Sequence, residues 1–354
     1  MRVALLGLEG NFSRNVMGGI PAYMYETYTN LRGMQSGRFR VEKIEYRRRR
    51  ELKEALGWFY IVIRGATEDY SKFDIVHNLD VKPIYPMNRG KAVFMVTAHD
   101  FQPLTAPHLD TDMKSSLKSR IKLHLEIRQS LKIALKSDYM IAVSTTTRDD
   151  AVSLGYDPKR ISVVPHGVSR RLVTTPIPKS SGRDFVVGYI GAFRRRKNLR
   201  MAIDAFMGMD SRPARMELWG NRAYDYERLS AHAARDHRIR FMGFAPDDRY
   251  VQTYDRFDAF VFPSLYEGFG ISILEAQARG LPVIIFKDAK IPREVRRYCI
   301  EARDAGHMTE ILQTLMENGY SSRDRGVAMR YARGFTWEKS ARQTLKAYQR
   351  SMVV

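Results

Sequence analysis

Two glutamates, Glu267 and Glu275, carry the strongest chemical signal in the sequence. Glu267 follows an apolar run that ends at Pro263, and Glu275 lies on a helix predicted to open near Gly270. The glycines on either side of Phe269 let backbone amides approach a ligand, and a helix N-terminus favours an anion there. Carboxylates accept hydrogen bonds from vicinal diols. The pattern predicts a diphosphate cradle; the alternative makes Glu267 a turn residue and Glu275 an exposed helical charge.

A run of four cations, Arg194 to Lys197, forms the second signal. It follows Gly191 and Ala192 at the end of a predicted strand, and a helix is predicted to begin near Asn198. A departing diphosphate gains negative charge in the transition state, so cations at this position would accelerate its departure. The alternative is a solvated basic turn.

Two weaker signals lie in the first half of the chain. Gly18 and Gly19 follow the first apolar run and precede a helical pattern, although a tight turn accounts for them equally well. His99 stands beside Asp100 at the end of another predicted strand. A histidine there either has a structural role or faces a ligand in the site.

Composition limits the classes of protein that the chain can represent. Its 59 Lys and Arg against 39 Asp and Glu give a net charge of +20, which attracts nucleic acid, anionic lipid or phosphorylated substrates. Cys299 is the only cysteine, which excludes an intrachain disulfide and a cysteine-based zinc site. No apolar stretch approaches the roughly 18 residues of a membrane-spanning helix, and no signal peptide is evident. We therefore expect a cytoplasmic protein.

The signals are distributed over two successive series of alternating strands and helices. Predicted strands cover Arg2 to Gly7, Asp74 to His77, Ala92 to Thr97, Tyr139 to Val143, Ile161 to Val164, Phe185 to Ile190, Met216 to Trp219, Arg240 to Met242, Ala259 to Phe262 and Pro282 to Phe286. Such alternation predicts an α/β fold with parallel sheets, here two doubly wound Rossmann-like domains that face a cleft. We place the first domain at 1–170, a linker at 171–184, the second domain at 185–337 and a closing helix at 338–354.

These residues resemble a known family. Glu267 and Glu275 stand as the E-x7-E motif of retaining glycosyltransferases with the GT-B fold, within the pattern PSLxEGFGxxxLEA. The chain is similar in particular to glycosyltransferase family 4, the glycosyl transferases group 1. The resemblance implies that Glu275 holds the donor ribose. It places Glu267 and the backbone of Phe269, Gly270 and Ile271 by the sugar and the diphosphate.

Other motifs of the family can be matched residue by residue. The segment from Gly191 to Asn198 resembles G-x-L-x-x-R-K-N, which implies that Arg196 and Lys197 bind the diphosphate. Many members carry arginine directly after the glycine, where this chain has Ala192, so the division of work among the arginines stays open. The resemblance places Gly18 and Gly19 against the donor phosphates and His99, within T-x-H-D, by the transferred sugar.

Three further matches concern the ends of the domains and the base. His166 replaces the common asparagine of I-x-V-I-P-N-G-V, and we expect it to lie in a structural turn. The stretch from Phe335 to Lys339 resembles the closing F-S-W-E segment, which implies a last helix packed on the first domain with Trp337 as its anchor. The nucleotide base is expected near Gly243 and Phe244.

The resemblance implies retaining transfer of a hexose-type sugar from a GDP- or UDP-linked donor to a glycan or lipid-linked acceptor, with no metal and no cofactor. The roles of two further segments stay open. Asp110 to Asp112 matches the metal-binding D-x-D of GT-A transferases, although an Asp before a helix is an ordinary N-cap. The basic helix predicted over 112–136 is either a solvated face or a peripheral contact with anionic lipid at the inner membrane face.

Two functions other than sugar transfer are also compatible with parts of the sequence. The net charge and the clusters Arg47 to Arg50 and Arg194 to Lys197 would suit a nucleic-acid-binding protein, but no nucleic-acid-binding motif accompanies them. A GT-B-like epimerase or hydrolase acting on nucleotide sugars is the other alternative.

Overall fold

The chain folds into two compact units in a computed structural model. The structure describes residues 1–8, 12, 19–46, 65–79, 84–110, 128–177, 184–210, 213–222 and 225–353. Unit 1 consists of Met1–Thr105, Leu117–Gly167 and Trp337–Val354, and unit 2 consists of Ala106–Ser116 and Val168–Thr336.

Unit 1 is built on a parallel sheet with the strand order β2-β1-β3-β4-β5-β6. Its strands are β1 (Arg2–Leu8), β2 (Arg40–Tyr46), β3 (Ile75–Asn78), β4 (Val93–Ala98), β5 (Tyr139–Ala142) and β6 (Ile161–Val163). The central strands are buried along their length, as their unbroken apolar runs require. β2 was not predicted: it is an edge strand whose charged residues are exposed, so it lacks that run.

The helices of unit 1 include the last helix of the chain. They are α1 (Gly19–Gly33), α2 (Gln102–Thr105), α3 (Thr145–Ser153) and α12 (Trp337–Ser351), and residues 128–135 are also helical. The rings of Tyr23 in α1 and Trp337 in α12 lie 6.0 Å apart, and Tyr348 is fully buried. The closing helix therefore packs on the first unit with Trp337, 6% exposed, at its start.

Unit 2 repeats the design with the strand order β12-β11-β10-β7-β8-β9, again all parallel. Its strands are β7 (Phe185–Ile190), β8 (Ala214–Trp219), β9 (Ile239–Gly243), β10 (Ala259–Phe262), β11 (Val283–Phe286) and β12 (Ile300–Ala302). Two parallel sheets with helices confirm the predicted α/β fold of two doubly wound domains. The three-residue edge strand β12 was missed because it is too short to show a pattern.

The described helices of unit 2 lie between successive strands, except for one that precedes β7 and two that follow β12. They are α4 (Arg170–Thr174), α5 (Leu199–Met207), α6 (Tyr226–Ala233), α7 (Tyr250–Asp255), α8 (Ile271–Ala278), α9 (Arg293–Arg296), α10 (Ala305–Asn318) and α11 (Ser322–Arg333). Short 3-10 turns lie at Pro107–Asp110, Arg195–Lys197 and Asp247–Arg249, with another in unit 1 at Pro158–Arg160. None of the helices in the described part of the chain is long and apolar enough to cross a membrane.

The predicted linker at 171–184 needs correction. The stretch 171–184 is not irregular from its start, because α4 covers residues up to Thr174. The buried Arg279 then donates to the carbonyl oxygens of Leu172, Thr175 and Pro176 and pairs with Asp255, so this part of the predicted linker is held against unit 2. Residues 178–183 lie outside the described residues.

Candidate functional site

Three of the predicted donor-site side chains meet in unit 2. Lys197, in the turn that follows β7, places its Nζ 2.5 Å from Oε1 of Glu267, in the turn that follows β10. A guanidinium nitrogen of Arg196 lies 3.7 Å from the other oxygen of Glu267. Because β7 and β10 are neighbouring parallel strands, the turns at their carboxyl ends meet at one edge of the sheet.

Backbone hydrogen bonds join these two turns to each other. The amide of Leu265 donates to the carbonyl oxygen of Arg196 over 2.8 Å, and the Arg196 guanidinium donates to the carbonyl oxygen of Tyr266 over 3.0 Å. The amide of Glu267 in turn donates to the carbonyl oxygen of Lys290. The position of the Glu267 carboxylate is therefore fixed by the main chain as well as by its cationic neighbours.

The charges of this cluster are mutually dependent because the cluster is buried. Burial alone would raise the pKa of Glu267, but attraction by Lys197 and Arg196 outweighs it, and the pKa lies below its usual value. Burial lowers the pKa of Lys197, while the charge of Glu267 opposes that change. Glu267 lies in a turn, as the alternative interpretation also has it, but its side chain is only 6% exposed and is paired with two cations.

Helix α8 begins directly beside this cluster. Gly270 caps it with φ of 88°, a left-handed conformation that favours glycine. A Cβ at Gly270 would lie 3.8 Å from the Cβ of Glu267, so the first turn of α8 lies next to the ion pair. Phe269 is buried and Ile271 is half-buried. Free backbone amides of a first helical turn provide donors for an anion.

Gly191 continues β7 at the point where its backbone approaches a second chain segment. Its amide donates to the carbonyl oxygen of Trp219, and its own carbonyl oxygen would lie 2.1 Å from a Cβ at Gly220. A Cβ at Gly191 would meet the hydroxyl of Tyr189 at 2.5 Å. Both glycines are needed for this close approach of the two strand ends.

Glu275 lies on α8 and is held by two tyrosines that the sequence analysis did not identify. The hydroxyls of Tyr250 and Tyr254 each donate to its Oε2 over 2.8 Å. Burial raises the pKa of Glu275 to about 7, and the two hydrogen bonds oppose that rise. At 6% exposure it is not the exposed helical charge of the alternative interpretation. The four-residue spacing of Tyr250 and Tyr254, which suits one face of a helix, was the only available signal.

The base-binding prediction concerns the end of β9. Gly243 has φ of 77°, and its carbonyl oxygen accepts a hydrogen bond from the amide of Gly220 over 2.7 Å. Phe244 follows it and is 48% exposed, an unusual position for a large apolar ring. The described contacts do not link Phe244 to the cluster around Glu267.

Predicted residues of the first domain meet in unit 1. The ring of Tyr23 packs edge-on against His99 with centroids 5.0 Å apart, and it is tilted by 30° to the ring of His166 at 4.9 Å. The rings of His166 and Trp337 stack at 5.6 Å. His99 Nε2 bonds the carbonyl oxygen of Leu79 over 2.9 Å. His99 and His166 therefore belong to one aromatic cluster at the carboxyl ends of the strands.

A buried hydrogen-bonded chain supports this cluster, and its central residue, His77, was not predicted. Nε2 of His77 and the hydroxyl of Tyr23 both bond Oγ1 of Thr97, each at 2.9 Å. Nδ1 of His77 bonds the hydroxyl of Tyr348 at 2.8 Å. Burial, with a smaller contribution from His99, lowers the pKa of His77 to about 3. His77 is therefore neutral at physiological pH.

Several predictions fall partly or wholly outside the described residues. Gly18 and most of the basic helix at 112–136 are among them, as are two of the three positions of the D-x-D element, with Asp110 ending a 3-10 turn. Gly19 is not in the predicted loop but is the first residue of α1. Among the described residues, no group of three His, Cys, Asp or Glu could hold a metal ion.

Two family models match the chain over its two halves. Residues 24–172 match Glycosyltransferase Family 4, and residues 184–318 match Glycosyl transferases group 1. O-antigen chain mannosyltransferase B of Escherichia coli is 30% identical over 177 residues, which is 46% of this chain and 45% of that protein. D-inositol 3-phosphate glycosyltransferase of Corynebacterium efficiens is 27% identical over 217 residues, 54% of this chain and 51% of that protein. The matched part thus spans about half the length of these relatives.

Solved structures share the fold over almost the whole chain. Sucrose-phosphate synthase from Thermosynechococcus elongatus superposes with a TM-score of 0.72 at 17% identity. HepE from Anabaena, in complex with UDP-glucose, gives 0.71 at 16% identity, and each match covers 98% of both chains. The two family models, which match both halves of the chain, show that it belongs to the glycosyltransferases of the family 4 type, and the solved structures show that it has their GT-B fold.

Proposed function

We propose that this protein is a retaining glycosyltransferase that moves a hexose-type sugar from a GDP- or UDP-linked donor to a glycan or lipid-linked acceptor, without a metal ion. The observation that carries the proposal is the buried contact of Lys197 and Arg196 with Glu267 beside the first turn of α8. Cations and a helix N-terminus at one sheet edge are suited to a diphosphate. Glu275 is a carboxylate acceptor for a ribose diol on the same helix.

The relatives support a nucleotide-sugar donor and leave its sugar open. One relative is named a mannosyltransferase and another an inositol phosphate glycosyltransferase, and a structural neighbour is a complex with UDP-glucose. Both GDP- and UDP-linked donors therefore belong in the first test. A role of His99 in positioning the sugar rests on the family motif, and the aromatic cluster around it in unit 1 would hold its ring in place.

In the proposed reaction the acceptor hydroxyl oxygen forms a bond to the anomeric carbon on the face from which the diphosphate leaves. The bond between the anomeric carbon and the phosphate oxygen breaks, and its electron pair stays on the diphosphate. That oxygen takes the proton of the acceptor hydroxyl. Arg196 and Lys197 stabilise the charge that the diphosphate gains, which is the largest electrostatic change of the step. Glu267 keeps Lys197 in place at the sheet edge.

The proposal is tested by nucleoside diphosphate release from UDP-glucose, UDP-N-acetylglucosamine and GDP-mannose, measured with and without EDTA. We expect one of these donors to be turned over slowly by transfer to water, with EDTA making no difference. The Glu267→Gln variant should lose this activity. Glu310→Gln, which neutralises an exposed carboxylate of α10 in the same unit, is the matched control and should keep it.

Two results would contradict the proposal. One is a folded protein that releases no nucleotide from any of the three donors and binds neither UDP nor GDP. The other is salt-sensitive binding of nucleic acid as the only ligand binding observed, which would favour the explanation based on net charge. A free sugar formed at the same rate with every acceptor present would instead favour a nucleotide-sugar hydrolase.

A further inference from the structure

Two tyrosine hydroxyls donate hydrogen bonds to the Glu275 carboxylate. Tyr250 and Tyr254 are four residues apart on α7, so their side chains lie on one face of that helix. Both hydroxyls donate to the same carboxylate oxygen, Oε2, over 2.8 Å each. The two hydroxyl oxygens are 3.4 Å apart, and the rings meet edge to face with centroids 5.4 Å apart.

The two hydrogen bonds hold Oε2 of Glu275 and leave its other oxygen, Oε1, available to a ligand. An ionised carboxylate has only acceptor capacity, so each phenol must be the donor. Both phenols engage Oε2, and within the part of the chain that the structure describes no donor reaches Oε1. Glu275 is only 6% exposed, but its Oε1 is not among the described side-chain atoms that are buried without a partner, so it remains accessible and a bound ligand could donate to it.

We propose that Tyr250 and Tyr254 are positioning residues for the nucleotide donor: they fix the Glu275 carboxylate and keep it ionised so that it accepts the ribose hydroxyls. The inference rests on the proposed function, in which Glu275 holds the ribose. It adds two residues of α7 to the donor site. It also implies that the hydroxyl groups of Tyr250 and Tyr254 determine the pH range over which the donor binds.

The pKa shifts of Glu275, Tyr250 and Tyr254 determine whether affinity for a diol is lost at acid or at alkaline pH. Burial raises the pKa of Glu275 to about 7, and the hydrogen bonds from Tyr250 and Tyr254 lower it. Burial, and then the charge of Glu275, raise the pKa values of both tyrosines well above the usual range, with Asp247 also acting on Tyr250, so both remain protonated donors. Affinity for a diol should therefore be lost as the pH falls through the pKa of Glu275.

Removing one phenol hydroxyl should move this loss to higher pH. The ionised carboxylate then has one donor fewer, whereas its protonated form loses much less. A hydrogen bond to a charged group corresponds to a shift of about one pH unit. A tyrosine with a purely structural role would change the stability of unit 2 but would leave the midpoint of the pH profile in place.

The experiment is a calorimetric titration of the full chain with UDP and with GDP between pH 5.5 and 8.5. It compares the wild type with Tyr250→Phe and Tyr254→Phe. Tyr331→Phe is the matched control, because it removes a tyrosine hydroxyl bonded to the backbone of Glu294 elsewhere in unit 2. Glu275→Gln supplies the baseline, since the terminal phosphate of the nucleotide itself titrates near pH 6. Thermal melting verifies that each variant is folded.

We expect the acid loss of affinity, corrected by the Glu275→Gln profile, to move upward by about one pH unit in both Tyr→Phe variants and not in the control. If Tyr254→Phe fails to fold, the half-buried Tyr250 still provides the test. Unmoved midpoints in Tyr250→Phe, with Glu275→Gln weakening binding, would overturn the inference and leave the proposed function intact. Absence of UDP and GDP binding in the wild type would overturn both.

Discussion

His77 makes the stability of unit 1 dependent on pH, and the size of the effect can be derived from its surroundings. The imidazole is fully buried between Tyr348 and Thr97, and burial lowers its pKa from 6.5 to about 3. Its folded-state pKa is thus below its unfolded-state value, so unfolding takes up a proton at acid pH. The stabilising effect of a neutral His77 is complete above pH 6.5 and declines as the pH falls.

The loss of unfolding free energy that His77 causes at pH 5 depends only on its pKa in the unfolded state. Because the folded-state pKa of His77 is well below 5, the loss is set by the 1.5 units between pH 5 and the unfolded pKa of 6.5. At about 1.4 kcal/mol per unit this amounts to about 2 kcal/mol. His77→Gln cannot titrate, so its free energy of unfolding should lack this part of the decline between pH 7.5 and 5.

The assay is urea unfolding at pH 7.5 and 5.0, followed by hydrogen exchange of peptides from β3 and β4. A readout confined to unit 1 is needed because two units need not unfold together. His166, whose pKa burial also lowers, is present in both proteins and cancels in the difference. If the wild type and His77→Gln lost the same free energy of unfolding between the two pH values, the reasoning from burial would be refuted.

Three further predictions concern unit 2. Lys197→Met should cost about 3 kcal/mol in urea unfolding by leaving the buried Glu267 with one cation at 3.7 Å, and adding Glu267→Gln should restore most of it. Gly270→Ala should lower the free energy of unfolding by about 1 to 2 kcal/mol, because alanine disfavours φ of 88°. Arg279→Met should cost about 3 to 5 kcal/mol, measured by exchange of α4 peptides, since Asp255 loses its buried partner.

Each of these predictions has an outcome that contradicts it. A double variant no more stable than Lys197→Met would show that the ion pair is not what holds the charge of Glu267. For Gly270 the comparison is Gly306→Ala in α10, where φ is ordinary and alanine should be neutral or stabilising; equal losses would exclude backbone strain as the cause. Unchanged exchange of α4 in Arg279→Met would mean that this side chain does not hold the segment 172–176.

The three residues that meet around Glu267 could be identified from the sequence because each lies at a strand end. Arg196, Lys197 and Glu267 each follow an apolar run, and neighbouring parallel strands bring such turns together. The pairing of Lys197 with Glu267 was not predicted, since side-chain partners depend on which strands are adjacent. The order β12-β11-β10-β7-β8-β9 cannot be derived from the pattern of any one strand.

The unpredicted residues are those whose role depends on packing. Tyr250, Tyr254 and His77 occupy ordinary positions in the sequence, and only the fold shows that each is buried against a polar partner. The two missed strands, β2 and β12, both lie at sheet edges, where one side of the strand lacks a neighbour and the apolar run is broken or short. Periodicity therefore identified the centres of both sheets and one edge strand of each, β6 and β9, and missed the opposite edge strand.

The central claim, that unit 2 binds the diphosphate of a nucleotide-sugar donor through Arg196 and its neighbours, is tested most directly by comparing ligands with and without phosphates. Calorimetric titration of UDP against uridine, and of GDP against guanosine, should show a clear preference for one diphosphate. That preference should fall roughly ten- to hundredfold in Arg196→Gln, the cost of one charge-assisted contact. Equal affinity for nucleoside and diphosphate, or a preference that Arg196→Gln leaves unchanged, would contradict the account.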